Sequence, residues 1–258
     1  MKIGVVGLGL IGGSIYKKLT ELKYDVVGIS ESQNGKESNI TNDLNALKDC
    51  KLIFVATPMH STIAKLKEIE KIANKNTIVT DCCSLKEFLT NKSFDFTFIP
   101  SHPMAGTEFS GYENSYSELF QDAKWVITPI NNENTKILEE VIKEIGAKPI
   151  ITTPKKHDEA VAIISHMPMI IAQGLMKTLK DNELAKKLAS SGFRDMTRLA
   201  MSNTEMANDM INYNHKNIEQ SLLNLYKDIG ELIKNYPNEI KKLKINREKM
   251  YTNGKNNL

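Results

Sequence analysis

The sequence predicts an α/β fold over residues 1–152 and an all-helical region over residues 153–258. Three observations lead to this prediction. A glycine-rich turn directly follows the first strand-like run, strand-like and helix-like segments then alternate up to Ile151, and no convincing strand pattern appears from Thr153 onward. Strands that alternate with helices form parallel sheets covered by helices on both faces. We therefore expect two domains with a boundary near residue 152.

The first predicted strand, Lys2 to Val6, runs directly into a glycine-rich turn and then into a segment with helical spacing. The turn reads Gly-x-Gly-x-x-Gly, which between a strand and a helix indicates a dinucleotide-binding domain of the Rossmann type. Gly7 permits the tight turn, Gly9 lets the backbone approach a pyrophosphate, and Gly12 lets the helix pack closely on the strand. The alternative is a glycine-rich turn that binds nothing. The candidate cofactor-binding residues are Gly7, Gly9, Leu10, Ile11 and Gly12.

The second strand, Asp25 to Ile29, should end in an acidic residue that binds the adenosine ribose if the cofactor is NAD. Ser30 stands where that acid is expected, and Glu31 follows one residue later. No arginine follows at once to accommodate the 2′-phosphate of NADP. We therefore favour NAD over NADP and select Glu31 as the ribose partner. The alternative for Glu31 is a solvated loop carboxylate.

Two further strand ends provide candidate site residues. The strand Lys51 to Ala56 ends in Thr57-Pro58, a small-residue turn that suits close passage of the cofactor. The strand Thr77 to Thr80 leads to Ser84, which either caps the next helix or points its hydroxyl into the crevice at the strand ends. Two more strand-like runs with a helix between them, within residues 124–151, complete a parallel, right-handed doubly wound sheet.

Residues 101–111 are polar and punctuated by glycine and proline, which predicts a loop. They follow the strand-like run 94–99, and loops just beyond strand ends hold ligands in α/β sheets. His102 in this segment is our candidate acid–base residue, because the pKa of imidazole suits proton transfer near neutral pH. The alternative is a turn histidine bonded to nearby backbone.

Thr153-Pro154 begins the helical region, with a capping hydroxyl followed by proline at the first helical position. The segment Val161 to Met176 is apolar almost all round and predicts a buried helix, which Pro168 should kink by freeing the carbonyl of Ile164. His166 lies beside that kink, either as a core histidine or as a site residue. The later helices form either a second core or a dimer interface, and the sequence does not choose between these.

Two arginines and an aspartate, Arg194, Asp195 and Arg198, adjoin an apolar helical stretch. An arginine can clamp a substrate carboxylate through two parallel hydrogen bonds. From spacing alone, a surface or interhelical salt bridge is the better interpretation.

Composition and charge exclude several classes of protein. The 258 residues have a formal net charge of +3 and are 41% hydrophobic and 25% charged, which is ordinary for a globular protein and too weakly basic to indicate a nucleic-acid partner. The longest apolar runs fall far short of a membrane span, and the first strand starts too early for a signal peptide. Three cysteines without CxxC spacing argue against a disulfide scaffold. We expect a cytoplasmic protein with a small-molecule substrate and no metal site.

Taken in order, five motifs resemble those of the prephenate/arogenate dehydrogenases, the oxidoreductases of tyrosine biosynthesis. The resemblance covers essentially the whole chain, and its most specific motif is His102-Pro103-Met104-Ala105-Gly106-Thr107-Glu108. The other four are Gly7-x-Gly9-x-x-Gly12, Asp81-x-x-Ser84-x-Lys86, Ser165-His166-Met167-Pro168 and Gly192-Phe193-x-Asp195-x-Thr197-Arg198-Leu199-Ala200.

This resemblance implies an NAD(P)-dependent oxidative decarboxylation of prephenate to 4-hydroxyphenylpyruvate, with arogenate dehydrogenation to tyrosine as the alternative. His102 would accept the hydroxyl proton during hydride transfer, Ser84 would hydrogen-bond near that hydroxyl, and Arg198 would bind a substrate carboxylate. The resemblance also implies a homodimer formed through the C-terminal helices, with Asp195 reaching the site from the second subunit as one option. The other residues implied at the substrate site are Thr107, Glu108 and His166.

The chain departs from the family at three positions. Cys83 stands where glycine is common before the serine, Met169 where a second histidine is common, and Ala207 near where a tryptophan is common. The last two changes leave open whether the substrate side chain is a keto acid or an amino acid. The rival hypotheses are another dehydrogenase of the same architecture and a non-catalytic dinucleotide sensor.

Overall fold

The computed structural model describes residues 1–107 and 109–252. Its first half is built on a six-stranded sheet of β1 (Lys2–Val6), β2 (Asp25–Ile29), β3 (Ile40–Thr41), β4 (Leu52–Val55), β5 (Ile78–Asp81) and β6 (Thr97–Phe98). The strand order is β3-β2-β1-β4-β5-β6, and all neighbouring strands are parallel. The predicted doubly wound α/β fold is confirmed.

Both faces of this sheet are buried, because successive side chains of a strand point to opposite sides. Helix α1 (Leu10–Glu21) supplies apolar residues to the core on one face, and α2 (Met59–Glu70) supplies them to the core on the other. The alternation is visible in β4, whose two faces carry Leu52 with Phe54 and Ile53 with Val55. Burial on both sides explains why these strands read as continuous apolar runs.

Three later strands form a separate sheet in the order β7 (Ser101–Pro103), β8 (Lys124–Ile127) and β9 (Lys148–Ile151). Helix α3 (Lys136–Glu144) connects β8 to β9, which are parallel, whereas β7 is antiparallel to β8. Two expectations are therefore wrong: β8 and β9 do not extend the first sheet, and His102 lies in a strand rather than in a loop. His102 pairs with Val126 of β8, a long-range pairing that the glycine and proline content of the segment conceals.

The rest of the described chain is helical, from Pro154 to Thr252. The Thr153 side chain accepts a hydrogen bond from the Lys156 N–H at 3.3 Å and caps the first helix, as predicted. The elements are α4 (Pro154–Val161), a π-helical turn (Ala162–His166), α5 (Met167–Thr178), α6 (Glu183–Leu188), α7 (Ser191–Thr197), a 3-10 turn (Arg198–Met201), α8 (Thr204–Lys234) and α9 (Tyr236–Thr252).

The segment Val161 to Met176 is disturbed before Pro168, in agreement with the predicted kink, but it is not fully buried. Pro168 cannot donate to the carbonyl of Ile164, and the chain forms its π-helical turn directly before this proline. Ile163 and Ile164 are 54% and 59% exposed, so full burial is wrong for the single chain. Their exposure leaves an apolar surface on the helical region.

By length and mean hydropathy alone, the stretch Pro154–Thr178 is able to cross a membrane, which the sequence analysis did not anticipate. Core helices of globular proteins pass the same test. This stretch contains three buried side chains that ionise or hydrogen-bond, His157, Asp158 and His166, and each has a protein partner. Only 28% of the apolar window in this stretch is buried within the described residues, so packing inside a single chain does not account for its composition.

Candidate active site

A cleft of about 1060 Å³ runs along the carboxyl ends of β1, β2, β4 and β5. In a doubly wound sheet, ligands bind where the strand order reverses, and here that place lies between β1 and β4. The predicted residues that line the cleft are Gly7, Gly9, Leu10, Ile11, Glu31, Thr57, Pro58 and Ser84.

The three glycines of the turn after β1 are required for different structural reasons. Gly7 has φ +87°, and a Cβ there would lie 2.7 Å from the carbonyl oxygen of Ala56, so conformation and space both require glycine. A Cβ at Gly9 would have no neighbour within 4 Å among the described residues, which leaves room for a ligand against the backbone. Gly12 does not line the cleft; a Cβ there would collide with the carbonyl of Gly7, so it serves packing of the helix. This cradle fits the pyrophosphate of a dinucleotide.

Ser84 lies on the cleft wall beyond the end of β5. The next helical turn, Glu87–Leu89, begins after Lys86, so Ser84 does not cap it. Of the two alternatives for this serine, the position in the crevice agrees with the structure.

His102 is half-buried on β7, which contacts β5 beside the cleft. Its Nδ1 lies 2.9 Å from Nε2 of His157, and Nδ1 of His157 lies 2.7 Å from Oδ1 of Asp158. The Asp158 carboxylate also accepts the backbone N–H groups of Lys86 and Glu87, both at contacts of 2.8–2.9 Å. These two backbone contacts fix the Asp158 carboxylate in place, and the carboxylate in turn orients His157, which contacts His102.

The hydrogen bonds among Asp158, His157 and His102 determine which ring nitrogen of each histidine carries the proton. A carboxylate only accepts hydrogen bonds, so the proton of His157 must be on Nδ1 and its Nε2 must accept. The proton of His102 is then on Nδ1, which donates to His157. Nε2 of His102 consequently has a free lone pair and is available as a base.

Electrostatics keeps this base neutral. Burial, followed by the neighbouring His157, Lys86 and His166, holds the pKa of His102 well below its ordinary value. The protonated form is disfavoured because a buried imidazolium would lose solvation and face other positive charge. At neutral pH the side chain is therefore ready to accept a proton.

A buried ion pair anchors His102 from the other side. Nζ of Lys86 donates to the carboxylate of Asp81 and to the carbonyl of Ser101 at 2.6 Å, and both charged side chains are fully buried. Asp81 also accepts the N–H groups of Cys83 at 2.9 Å and Ser101 at 3.2 Å. The pair thus ties the end of β5 to the residue that precedes His102.

His166 is buried in the helical region, with Nδ1 3.2 Å from Nδ2 of Asn214. The same amide nitrogen donates to the carbonyl of Asp158 at 3.0 Å. Since Nδ2 of Asn214 is a donor, Nδ1 of His166 accepts and its Nε2 carries the proton. Burial lowers the pKa of His166 to about 4, so it is a neutral donor near the His102 chain.

The remaining predicted substrate residues are not gathered around the cleft in this single chain. Arg198 and Asp195 are exposed, and the Asp195 carboxylate lies 3.9 Å from Nε of Arg194. Thr107 is exposed, and its Oγ1 accepts the N–H of Phe109 at 3.2 Å. Glu108 lies outside the described residues. The predicted catalytic and substrate-binding residues that do not line the cleft, as far as the structure describes it, are His102, His166, Arg198, Asp195 and Thr107.

Sequence reasoning missed the residues that set the state of His102. His157 and Asp158 were not selected, although a histidine followed by an aspartate shortly after a predicted helix start is a recognisable signal. Asp81 and Lys86 entered only as parts of a motif. Asn214 lies at a break in α8, where its backbone leaves helical geometry, and no sequence pattern marks it.

Comparison with known proteins decides the family. Residues 26–165 match the family model "Prephenate dehydrogenase, nucleotide-binding domain", and residues 153–244 match "Prephenate dehydrogenase, dimerization domain". The chain belongs to the prephenate dehydrogenase family. The resemblance inferred from the five motifs is confirmed.

Similar proteins in this family include enzymes named for both substrates. The chain is 31% identical to prephenate dehydrogenase of Lactococcus lactis over 94% of this chain and 76% of that protein. It shares 33% identity and a TM-score of 0.81 with the crystal structure of Synechocystis arogenate dehydrogenase, covering 99% of both chains. With prephenate dehydrogenase of A. aeolicus in complex with hydroxyphenyl propionate and NAD+, it shares 25% identity and a TM-score of 0.84, covering 97% of this chain and 98% of that one.

Proposed function

We propose that this chain catalyses the NAD-dependent oxidative decarboxylation of prephenate to 4-hydroxyphenylpyruvate in tyrosine biosynthesis. The observation that carries the proposal is the hydrogen-bonded series Asp158–His157–His102, which leaves Nε2 of His102 neutral and unprotonated on a strand that contacts β5, whose carboxyl end borders the nucleotide cleft. The names of the similar prephenate dehydrogenases support the choice of substrate.

Each group of the proposed site has a defined task. When bound, NAD supplies the hydride acceptor. Nε2 of His102 accepts the hydroxyl proton as the ring carbonyl forms, which general-base catalysis makes faster by roughly 10²–10⁴-fold. Ser84 hydrogen-bonds near that hydroxyl. Loss of carbon dioxide then gives an aromatic product, so the protein mainly removes a proton and aligns the reactants.

The adenosine end of the cleft favours NAD over NADP. Glu31 and Glu68 both line it, and Nζ of Lys65 is paired with Glu68 at 2.5 Å. Two carboxylates outweigh the one lysine, so the net negative charge at this end disfavours a 2′-phosphate, whereas a carboxylate is a good acceptor for ribose hydroxyls. We assign that ribose contact to Glu31.

The substrate carboxylate is assigned to Arg198, since a guanidinium binds carboxylates through two hydrogen bonds. His166, Thr107, Glu108 and Asp195 are assigned to the surroundings of the substrate. We further infer a homodimer that completes this half of the site, formed by the region 153–258, with residues 1–152 as the nucleotide-binding domain. The match to a dimerization domain and the exposed Ile163 and Ile164 support this inference.

A cytoplasmic location agrees with the cysteines. Cys50, Cys82 and Cys83 are free thiols in the structure. Burial raises the pKa of all three, to about 11 for Cys50, so they remain protonated and unreactive.

The test is nicotinamide reduction by the purified protein, with prephenate or arogenate crossed against NAD and NADP. The second candidate is arogenate dehydrogenation, which the similarity to the Synechocystis enzyme favours. Reduction with prephenate and NAD, lost in His102→Asn, is the expected result. Cofactor binding without reduction in all four pairs would leave a dinucleotide sensor or a different dehydrogenase.

A further inference from the structure

The Glu37 carboxylate joins the loop at the adenosine end of the cleft to the segment that follows His102. We propose that Glu37 is a positioning residue that couples occupation of the adenosine end of the cleft to the geometry of the substrate end. The proposal rests on the dehydrogenase reaction proposed above, and it adds a residue that neither the motifs nor the cleft wall includes.

Glu37 lies on the loop between β2 and β3, residues 30–39, whose first part lines the adenosine end of the cleft. Its Oε1 accepts the phenol of Tyr112 at 2.7 Å, and its Oε2 accepts the phenol of Tyr16 at 3.2 Å. Burial and the neighbouring carboxylate raise the pKa of Tyr16 to about 12, and the same two causes raise the pKa of Tyr112. Both phenols therefore stay protonated and donate to Glu37 at neutral pH.

Tyr112 connects this carboxylate to the segment that follows His102, which we infer to border the substrate. It begins the 3-10 turn Tyr112–Asn114. The cleft is lined here by Ser110, Gly111, Tyr112 and Glu113. Gly111 has φ +91°, so the direction in which the chain enters this turn is defined. The Tyr112 turn is therefore the described part of this segment through which Glu37 would act on the residues that follow His102.

The other side of Tyr112 rests on α1, the helix that follows the glycine-rich turn. Nζ of Lys17 lies 4.5 Å from the Tyr112 ring centroid and donates to the carbonyl of Ser115 at 2.7 Å. A Cβ at Gly13 would lie 2.7 Å from Cδ2 of Tyr112, so this glycine makes room for the ring. Tyr112 is thus held between Lys17 and Glu37, and Glu37 supplies its link to the adenosine loop.

The position of Glu37 suits coupling better than stabilisation of the fold. It is exposed, and hydrogen bonds at exposed sites add little to the free energy of folding. The bonds nevertheless join three segments that meet around the cofactor: the adenosine loop, α1 and the Tyr112 turn. A ligand that orders the first segment therefore also orders the third, and thermodynamic linkage makes the effect reciprocal.

Two tyrosines that share one carboxylate provide matched variants. Tyr112→Phe removes the hydrogen bond from Tyr112 to Glu37 and keeps the aromatic ring over which Lys17 lies. Tyr16→Phe removes the bond to α1 and leaves the one to Tyr112. The dissociation constant of hydroxyphenylpropionate is measured by calorimetry with saturating NAD and, separately, with saturating nicotinamide mononucleotide, which lacks the adenosine half.

The unmodified protein should bind hydroxyphenylpropionate about fivefold more tightly with NAD than with the mononucleotide, the lower end of typical coupling. In Tyr112→Phe and Glu37→Ala the two dissociation constants should become equal. In Tyr16→Phe the fivefold difference between them should remain. An equal affinity with both nucleotides in the unmodified protein, or an unchanged ratio in Tyr112→Phe, would overturn the proposal.

A separate measurement distinguishes this proposal from the proposed reaction. If no substrate is oxidised and hydroxyphenylpropionate does not bind, the reaction is rejected, and the role of Glu37 is decided by the nucleotides alone. Tyr112→Phe should then weaken NAD binding severalfold and leave binding of the mononucleotide unchanged. If Tyr112→Phe weakens binding of NAD and of the mononucleotide equally, or changes neither affinity, Glu37 is rejected as the link between the two segments.

Discussion

Nδ1 of His102 lies 2.9 Å from Nε2 of His157, and this contact joins a strand of the first half of the chain to the first helix of the second half. The proton of each ring is set by Asp158 at the inner end. The basicity of His102 is therefore a property of the interface between the two halves, not of its own segment.

Asp158→Asn should lower kcat about 100-fold, the size of a general-base contribution, with a smaller change in KM. The backbone N–H groups of Lys86 and Glu87 require an acceptor, so the amide oxygen will face them and the NH₂ group will face His157. His157 must then accept at Nδ1 and donate from Nε2, which places the proton of His102 on its catalytic nitrogen. Steady-state kinetics with prephenate measures the effect, and Asp43→Asn on the surface is the control. A normal kcat in Asp158→Asn would contradict the proton assignment.

The pH profile of kcat should be flat from neutral pH down through the ordinary pKa of histidine. His102 has a lowered pKa, so it remains neutral and active as the pH falls through about 6.5, the value of an unperturbed imidazole. Activity is lost only when the pH approaches the lowered value and the base becomes protonated. Initial rates at saturating substrate between pH 4 and pH 8, in a constant-ionic-strength buffer, provide the measurement. An acidic limb centred at or above the unperturbed value would show that His102 is not in the environment described.

Lys86→Met should destabilise the fold by about 3–5 kcal/mol, because it leaves the Asp81 carboxylate buried without its partner. Lys86→Met/Asp81→Asn should recover part of this loss, since the amide is neutral and its single oxygen still accepts one of the two N–H groups, of Cys83 and Ser101, that the two carboxylate oxygens accept. Urea unfolding followed through Trp125 measures both variants. A double variant no more stable than the single one would argue against a charge-burial origin.

Gly7→Ala and Gly9→Ala should separate folding from cofactor binding. Gly7→Ala should reduce the free energy of unfolding by at least about 1–2 kcal/mol, because an L-residue is strained at φ +87°. Gly9→Ala should fold normally, since a Cβ there meets open space among the described residues, but it should weaken NAD binding by occupying the place of the pyrophosphate. Denaturation curves and NAD titrations of both variants test this contrast, and tight NAD binding by Gly9→Ala would remove that glycine from the site.

The sequence was sufficient for most of the nucleotide-binding half. The glycine-rich turn, the strand ends at Glu31 and Thr57 and the helix start at Thr153 depend on residues close together in the chain, so local pattern predicts them. The sequence was insufficient where a residue's structure depends on a contact with a residue far away in the chain. Local pattern predicts a loop at β7 because the partner strand, β8, is distant in sequence. It predicts burial of Ile163 because apolar composition does not say which chain covers a surface.

By itself, the sequence determined that a dinucleotide-binding turn, a candidate base at His102 and a helical second half are present, since each follows from neighbouring residues. Only the tertiary structure decided which nitrogen of His102 is unprotonated, that Lys86 bonds to the residue before it, and that Glu37 accepts a hydrogen bond from Tyr112. The physical reason is sequence separation: His102 and His157 are 55 residues apart, and Glu37 and Tyr112 are 75 apart. A hydrogen bond between such residues exists only after the sheet and helices have brought them together.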